Sequence, residues 1–136
     1  MNSFKDRAEL IITFLLTKCM FPKKKIKSED LYKIFKQEHQ FDFDLKDFRR
    51  QLADLRDEFN ADQYEKNFRS NKPFTLIITT GEGYGAISSN DRSGEAQLAF
   101  YEARDFYYSR AKPIVQNTRK YDEMGEFLFN NEPSFI

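Results

Sequence analysis

The chain has 136 residues, with 22 basic and 22 acidic side chains, one His and one Cys. That length suits one domain and buries about two-thirds of the unfolded surface, enough for one core. A single Cys excludes a disulfide framework and a cysteine zinc cluster, and a single His leaves too few nitrogen ligands for most catalytic zinc sites.

The apolar fraction is 40%, and 15 Phe and 7 Tyr with no Trp must supply much of the core. The longest apolar run, Leu10 to Leu16, is broken by Thr13 and is too short to span a bilayer. Asp6 and Glu9, with no small-residue cleavage site after them, argue against a cleavable signal. The expectation is a cytoplasmic protein with no membrane contact. Zero net charge argues against a protein built mainly to neutralise phosphates. The halves differ: residues 1–72 sum to +3 and residues 73–136 to −3.

The first helix is predicted from Phe4 to Cys19, capped by Ser3, with Leu10, Ile11, Phe14, Leu15 and Cys19 at helical spacing. Cys19 on that stripe reads as a small buried hydrophobe. Pro22 stops the helix. Lys23, Lys24, Lys25 and Lys27 follow, a run that fits a solvated loop or a nucleic-acid backbone contact. Ser28 caps a second helix, Glu29 to Glu38, with Leu31, Ile34 and Phe35 as its apolar stripe. His39 falls at its end, where it can meet the last carbonyls.

Asp44 caps a third helix, Leu45 to Phe59, whose apolar positions Leu45, Phe48, Leu52, Leu55 and Phe59 recur every three or four residues. Residues 60–73 are polar and read as an irregular loop. Phe74 to Thr80 is rich in β-branched residues and reads as a strand. Gly81-Glu82-Gly83 turns it into a returning strand, Tyr84 to Ser88. A long helix is predicted from Glu95 to Tyr121, kinked or split at Pro113. Its stripe runs through Ala96, Ala99 or Phe100, Ala103, Phe106 or Tyr107, Arg110, Ile114, Asn117 and Tyr121. An aromatic tail with Phe127 and Phe129 completes the chain. The division is 1–90 core, 91–126 long helix and 127–136 tail, within a single domain.

Three short helices, the third amphipathic, followed by a hairpin resemble a winged helix-turn-helix. Ile26-Lys27-Ser28-Glu29-Asp30-Leu31 resembles the start of its second helix. Phe48-Arg49-Arg50-Gln51-Leu52-Ala53-Asp54-Leu55-Arg56 resembles the R-x-x-I-x-x-L-R pattern of its third. Gly83-Tyr84-Gly85 is similar to the returning edge of a wing. Tyr108-Ser109-Arg110-Ala111-Lys112 is similar to a helix of small winged-helix proteins of phages and mobile elements. The 60–73 loop and the aromatic tail depart from that pattern. The fold class expected is therefore α+β, mostly helical: a winged helix with a long Pro-kinked C-terminal helix.

The resemblance implies that the third helix enters the major groove and the wing touches the backbone or minor groove. The face of the third helix opposite its apolar stripe holds Lys46, Asp47, Arg50, Ala53, Asp54 and Asp57. Arg49 and Arg56 flank the stripe and are expected to cover core with their stems. The DNA-contacting set is then Lys23, Lys24, Lys25, Lys27, Lys46 and Arg50. The wing offers only one charge, the acidic Glu82.

No catalytic constellation is present. Gly81-x-Gly83-x-Gly85 lacks the Walker lysine and is followed by a strand, so it reads as a wing turn. Ser88, Ser89 and Ser109 have no His nearby in sequence. No metal site or cofactor is expected. Two functions remain. One is a DNA-binding regulator of phage type, dimeric through residues 95–121. The other is a protein-binding module that inhibits a host or defence enzyme and reads no DNA itself, with DNA mimicry as one route. Its partner surface would use Asp54, Asp57, Tyr107, Tyr108, Phe127 and Phe129.

Overall fold

A computed structural model describes residues 4–39, 44–110 and 115–125. The order is α1 (Phe4–Lys18), α2 (Ser28–His39), α3 (Leu45–Lys66), a 3-10 turn (Phe68–Ser70), β1 (Thr75–Thr80), β2 (Gly83–Ser88), α4 (Gly94–Arg110) and α5 (Val115–Gly125). The class is α+β, mostly helical, with one two-stranded antiparallel sheet. Among the described residues, no helix is long and apolar enough to cross a membrane.

The hairpin divides two cores, because strand side chains alternate faces. On one face Leu76, Ile78 and Ile87 pack with Phe100, Ala103, Tyr107 and Tyr121. On the other, Ile77 and Tyr84 join Ile11, Leu15, Leu31, Phe35, Phe48 and Leu52 from the three N-terminal helices. Leu10 is the exception on the first helical stripe: it is 46% exposed. Cys19 is buried as expected, and that burial pushes its thiol pKa up.

The third helix corrects the sequence reading. It does not stop near Phe59 but runs to Lys66, so half of the expected 60–73 loop is helical. Asp44 caps it as expected, its carboxylate accepting from Asp47 N at 2.9 Å. The buried row is Phe48, Leu52, Arg56, Asn60 and Tyr64, one residue every four. Two polar members interrupt that row, which is why apolar periodicity lost it. Each is satisfied. Asn60 donates from Nδ2 to Ile77 O at 2.9 Å and accepts at Oδ1 from Ile77 N at 2.8 Å. Arg56 donates to Asp57 at 2.9 Å and to Thr79 Oγ1 at 3.2 Å, with its guanidinium over the Tyr107 ring.

These contacts also close the hairpin's edges, which would otherwise present unpaired backbone groups. Asn60 and Gln63 cover β1, Gln63 Oε1 accepting from Thr75 N at 2.9 Å. The α1–α2 connection covers β2. Phe21 N donates to Ala86 O at 2.7 Å, and Ala86 N to Cys19 O at 3.0 Å. Ile26 and Tyr84 exchange both backbone bonds, at 2.8 and 2.7 Å.

Ser93 caps α4 through its hydroxyl and Ala96 N, at 3.1 Å. Of the predicted stripe, Ala96, Ala99, Phe100, Ala103, Tyr107 and Tyr121 are buried in the core that contains the strands, and Phe106 is half-buried. A dimer through residues 95–121 would therefore need other residues. The predicted helix is seen as two, α4 and α5, and Pro113 lies outside the described residues, as does the Ser3 cap.

Tyrosine hydroxyls tie α5 down. Tyr64 donates to Glu123 at 2.9 Å and Tyr108 to Asp122 at 3.0 Å. Tyr121 accepts from Asn60 Nδ2 at 3.4 Å. Burial, aided for Tyr108 by its bond to Asp122, pushes Tyr108 and Tyr121 up to about 12. A tyrosine in the unfolded chain ionises near ~10. Above that pH the unfolded state loses these protons first, so stability falls as pH rises toward about 12. Urea midpoints measured from pH 9 to 11.5 should decline, and a Tyr108→Phe/Tyr121→Phe variant should decline less steeply. An unchanged slope would contradict this packing of α5.

Candidate nucleic-acid interface

Three chain segments meet at one end of the molecule, and the pairing of β1 with α3 is the reason. The two run antiparallel: Thr75 meets Gln63, Ile77 meets Asn60 and Thr79 meets Arg56. Continued by the same stride, the hairpin turn comes level with the first turns of α3. There Arg49, Lys27, Ser28 and the acidic Glu29 line a groove with Thr80, Gly81 and Gly83.

The glycine that follows the turn has a packing role. Gly83 has φ +123°, and a Cβ there would lie 2.3 Å from Ile26 O. Gly83 and Gly85 thus serve the approach of the α1–α2 connection rather than a phosphate-cradling loop, and Gly81 meets nothing within 4 Å. The register pairs Thr80 with Gly83, leaving a two-residue turn of Gly81 and Glu82.

The predicted cations take different situations around this end. Lys23 donates its ammonium to Thr17 O at 2.9 Å. Lys24 and Lys27 are exposed. Lys25 pairs with Glu82 at 3.5 Å. Lys23, Lys24 and Lys25 line one depression with Glu82. Lys46 and Arg50 are exposed on the first two turns of α3, and Arg50 pairs with Asp47 at 3.3 Å.

Arg49 is the residue that sequence reasoning misplaced. It does not cover core. Its side chain is half exposed and donates to Ser28 Oγ at 3.0 Å, with Glu29 at 3.9 Å. Its partners lie about twenty residues away on α2, so no helical wheel could show them. Arg56 is the flanking arginine that is buried.

The proposed partner surface is dispersed. Asp54 is exposed, and Asp57 is engaged by Arg56. Tyr107 is 6% exposed and belongs to the core, so its ring offers no surface to a partner. Tyr108 is held at the α4–α5 joint by Asp122, with Arg104 over its ring. Phe127 and Phe129 lie outside the described residues.

Charge is unequal along α3. Lys46, Arg49 and Arg50 stand on its early turns, whereas Asp54, Glu58, Asp62 and Glu65 are exposed further along. Exposed pairs such as Arg50–Asp47 contribute about 0–1 kcal/mol, so a phosphate can replace the carboxylate. Compared with protein families, curated proteins and solved structures, this chain finds no match in any of the three.

Proposed function

We propose that this chain is a non-enzymatic winged-helix protein that binds duplex DNA, a regulator of phage type. The early turns of α3 enter the major groove, and the lysine connection before α2 rests on the flanking backbone. One observation carries the reading. Lys27, Arg49 and the hairpin turn share a groove, with the other lysines of the connection beside Glu82 and with Lys46 and Arg50 on the same turns of α3 as Arg49. The strand-like pairing of Met20 and Ile26 with β2 supports the winged-helix comparison. Asp47 stands within the basic turns, paired with Arg50, whereas Asp54, Glu58, Asp62 and Glu65 follow them and need not face the duplex.

The test is a Lys46→Ala/Arg50→Ala variant titrated with random-sequence duplex. Affinity at low salt should fall by at least about tenfold, and the slope of log K against log salt should lose about two units. Unchanged affinity and slope would remove α3 from the interface.

A second reading has its own observation. Asp54, Glu58, Asp62 and Glu65 form an exposed acidic row suited to a basic protein partner, as in an inhibitor that mimics DNA. In that case an Arg50→Ala variant keeps its partner complex.

A further inference from the structure

We propose that the Glu82 carboxylate is a built-in competitor for Lys25, displaced when a backbone phosphate of duplex DNA takes the Lys25 ammonium. This rests on the DNA-binding reading above and deepens it.

The two partners are unequally held. The Lys25 side chain is only 14% exposed, whereas that of Glu82 is 82% exposed. The lysine stem crosses the bare backbone of Gly85, where a Cβ would lie 3.0 Å from Lys25 Cγ. The next residue, Ile26, is clamped to Tyr84 by two backbone hydrogen bonds. The cation is therefore fixed at the edge of β2. Glu82 stands in a two-residue turn with its carboxylate in water. When a phosphate arrives, the carboxylate can swing out at little cost while the ammonium stays where it is. An exposed carboxylate contributes little on a fixed ammonium and is easily exchanged for a phosphate oxygen. Lys23 and Lys24 line the same depression, so the phosphate meets further positive charge there.

The contact thus restrains affinity for any duplex and leaves discrimination to groups on α3. The experiment is a double-mutant cycle with Glu82→Gln and Lys25→Gln, titrated with random-sequence duplex at low salt. Glu82→Gln should tighten binding by about two- to fivefold, the range of an exposed ion pair. In the Lys25→Gln background the same change should give little or no gain. An equal gain in both backgrounds would mean general repulsion, and the competitor role fails. No gain from Glu82→Gln, in a protein whose affinity still falls with Lys46→Ala/Arg50→Ala, also overturns it while the DNA reading stands. No duplex binding by any of the four proteins overturns both.

Discussion

Leu52→Ala should lower stability by about 2–5 kcal/mol, read as a drop in the urea midpoint at unchanged slope. Leu52 is 1% exposed and lies where three helices and one face of the hairpin converge. Its neighbours in that core include Leu31 and Phe35 from α2, Phe48 one turn earlier and Ile77 from β1. Collapse around the missing methyl groups is hindered on both sides. Asn60 fixes β1 against α3 by two hydrogen bonds at Ile77, and α2 is tied to α3 by Arg49 and Ser28. The cavity term therefore adds to the transfer term, which places the cost toward the upper part of the range. A change under about 1 kcal/mol would mean that α3 buries a different face.

Gly83→Ala should be nearly as costly, although it adds one methyl group at a half-buried position. The nearest atoms to the new Cβ are Ile26 O at 2.3 Å, Ile26 C at 2.5 Å and Lys27 N at 2.8 Å, all backbone. No side chain can move aside. The φ of +123° is itself strained for any L residue. Strain of this kind costs about 1–3 kcal/mol. The exchange of hydrogen bonds between Ile26 and Tyr84 would be lost with it, at about 1 kcal/mol for each bond. Gly81→Ala is the matched control, because nothing lies within 4 Å of its added Cβ. The pair separates a glycine demanded by packing from one that merely sits in a turn. Equal stabilities of the two variants would contradict the pairing of the α1–α2 connection with β2. Because that connection carries Lys23, Lys24, Lys25 and Lys27, Gly83→Ala should also weaken duplex binding, and Gly81→Ala should not.

Much of the fold was legible where one local rule acted alone. The Asp44 cap, the start of α3 and the hairpin all followed from short-range chemistry. The reading failed where a tertiary partner completes a local pattern. Asn60 looked like a loop residue because Asn favours turns. Its amide is instead spent on both backbone groups of Ile77, which keeps it in a helix interior. Tyr107 fits both the apolar stripe of the long helix and a partner surface, and the hairpin and Arg56 decide for the core. Arg49 and Arg56 lie two turns apart on the same side of the apolar stripe of α3, and only the arrival of Ser28 at one and Thr79 at the other tells them apart. The candidate interface was partly legible for the same reason. Its lysine run and two helical cations stand out in the sequence. The approach of the hairpin turn to Lys27 and Arg49 depends on β1 running back along α3, which no local window contains.

The most direct measurement is equilibrium binding of the intact chain to random-sequence duplex DNA, made at low salt and repeated at about 0.2 M salt. The expected result is binding at low salt that weakens steeply with added salt, because several of the seven cations on the α1–α2 connection and the early turns of α3 would each release counterions from the duplex. No binding at low salt would contradict it, and the acidic row on α3 would become the surface to pursue.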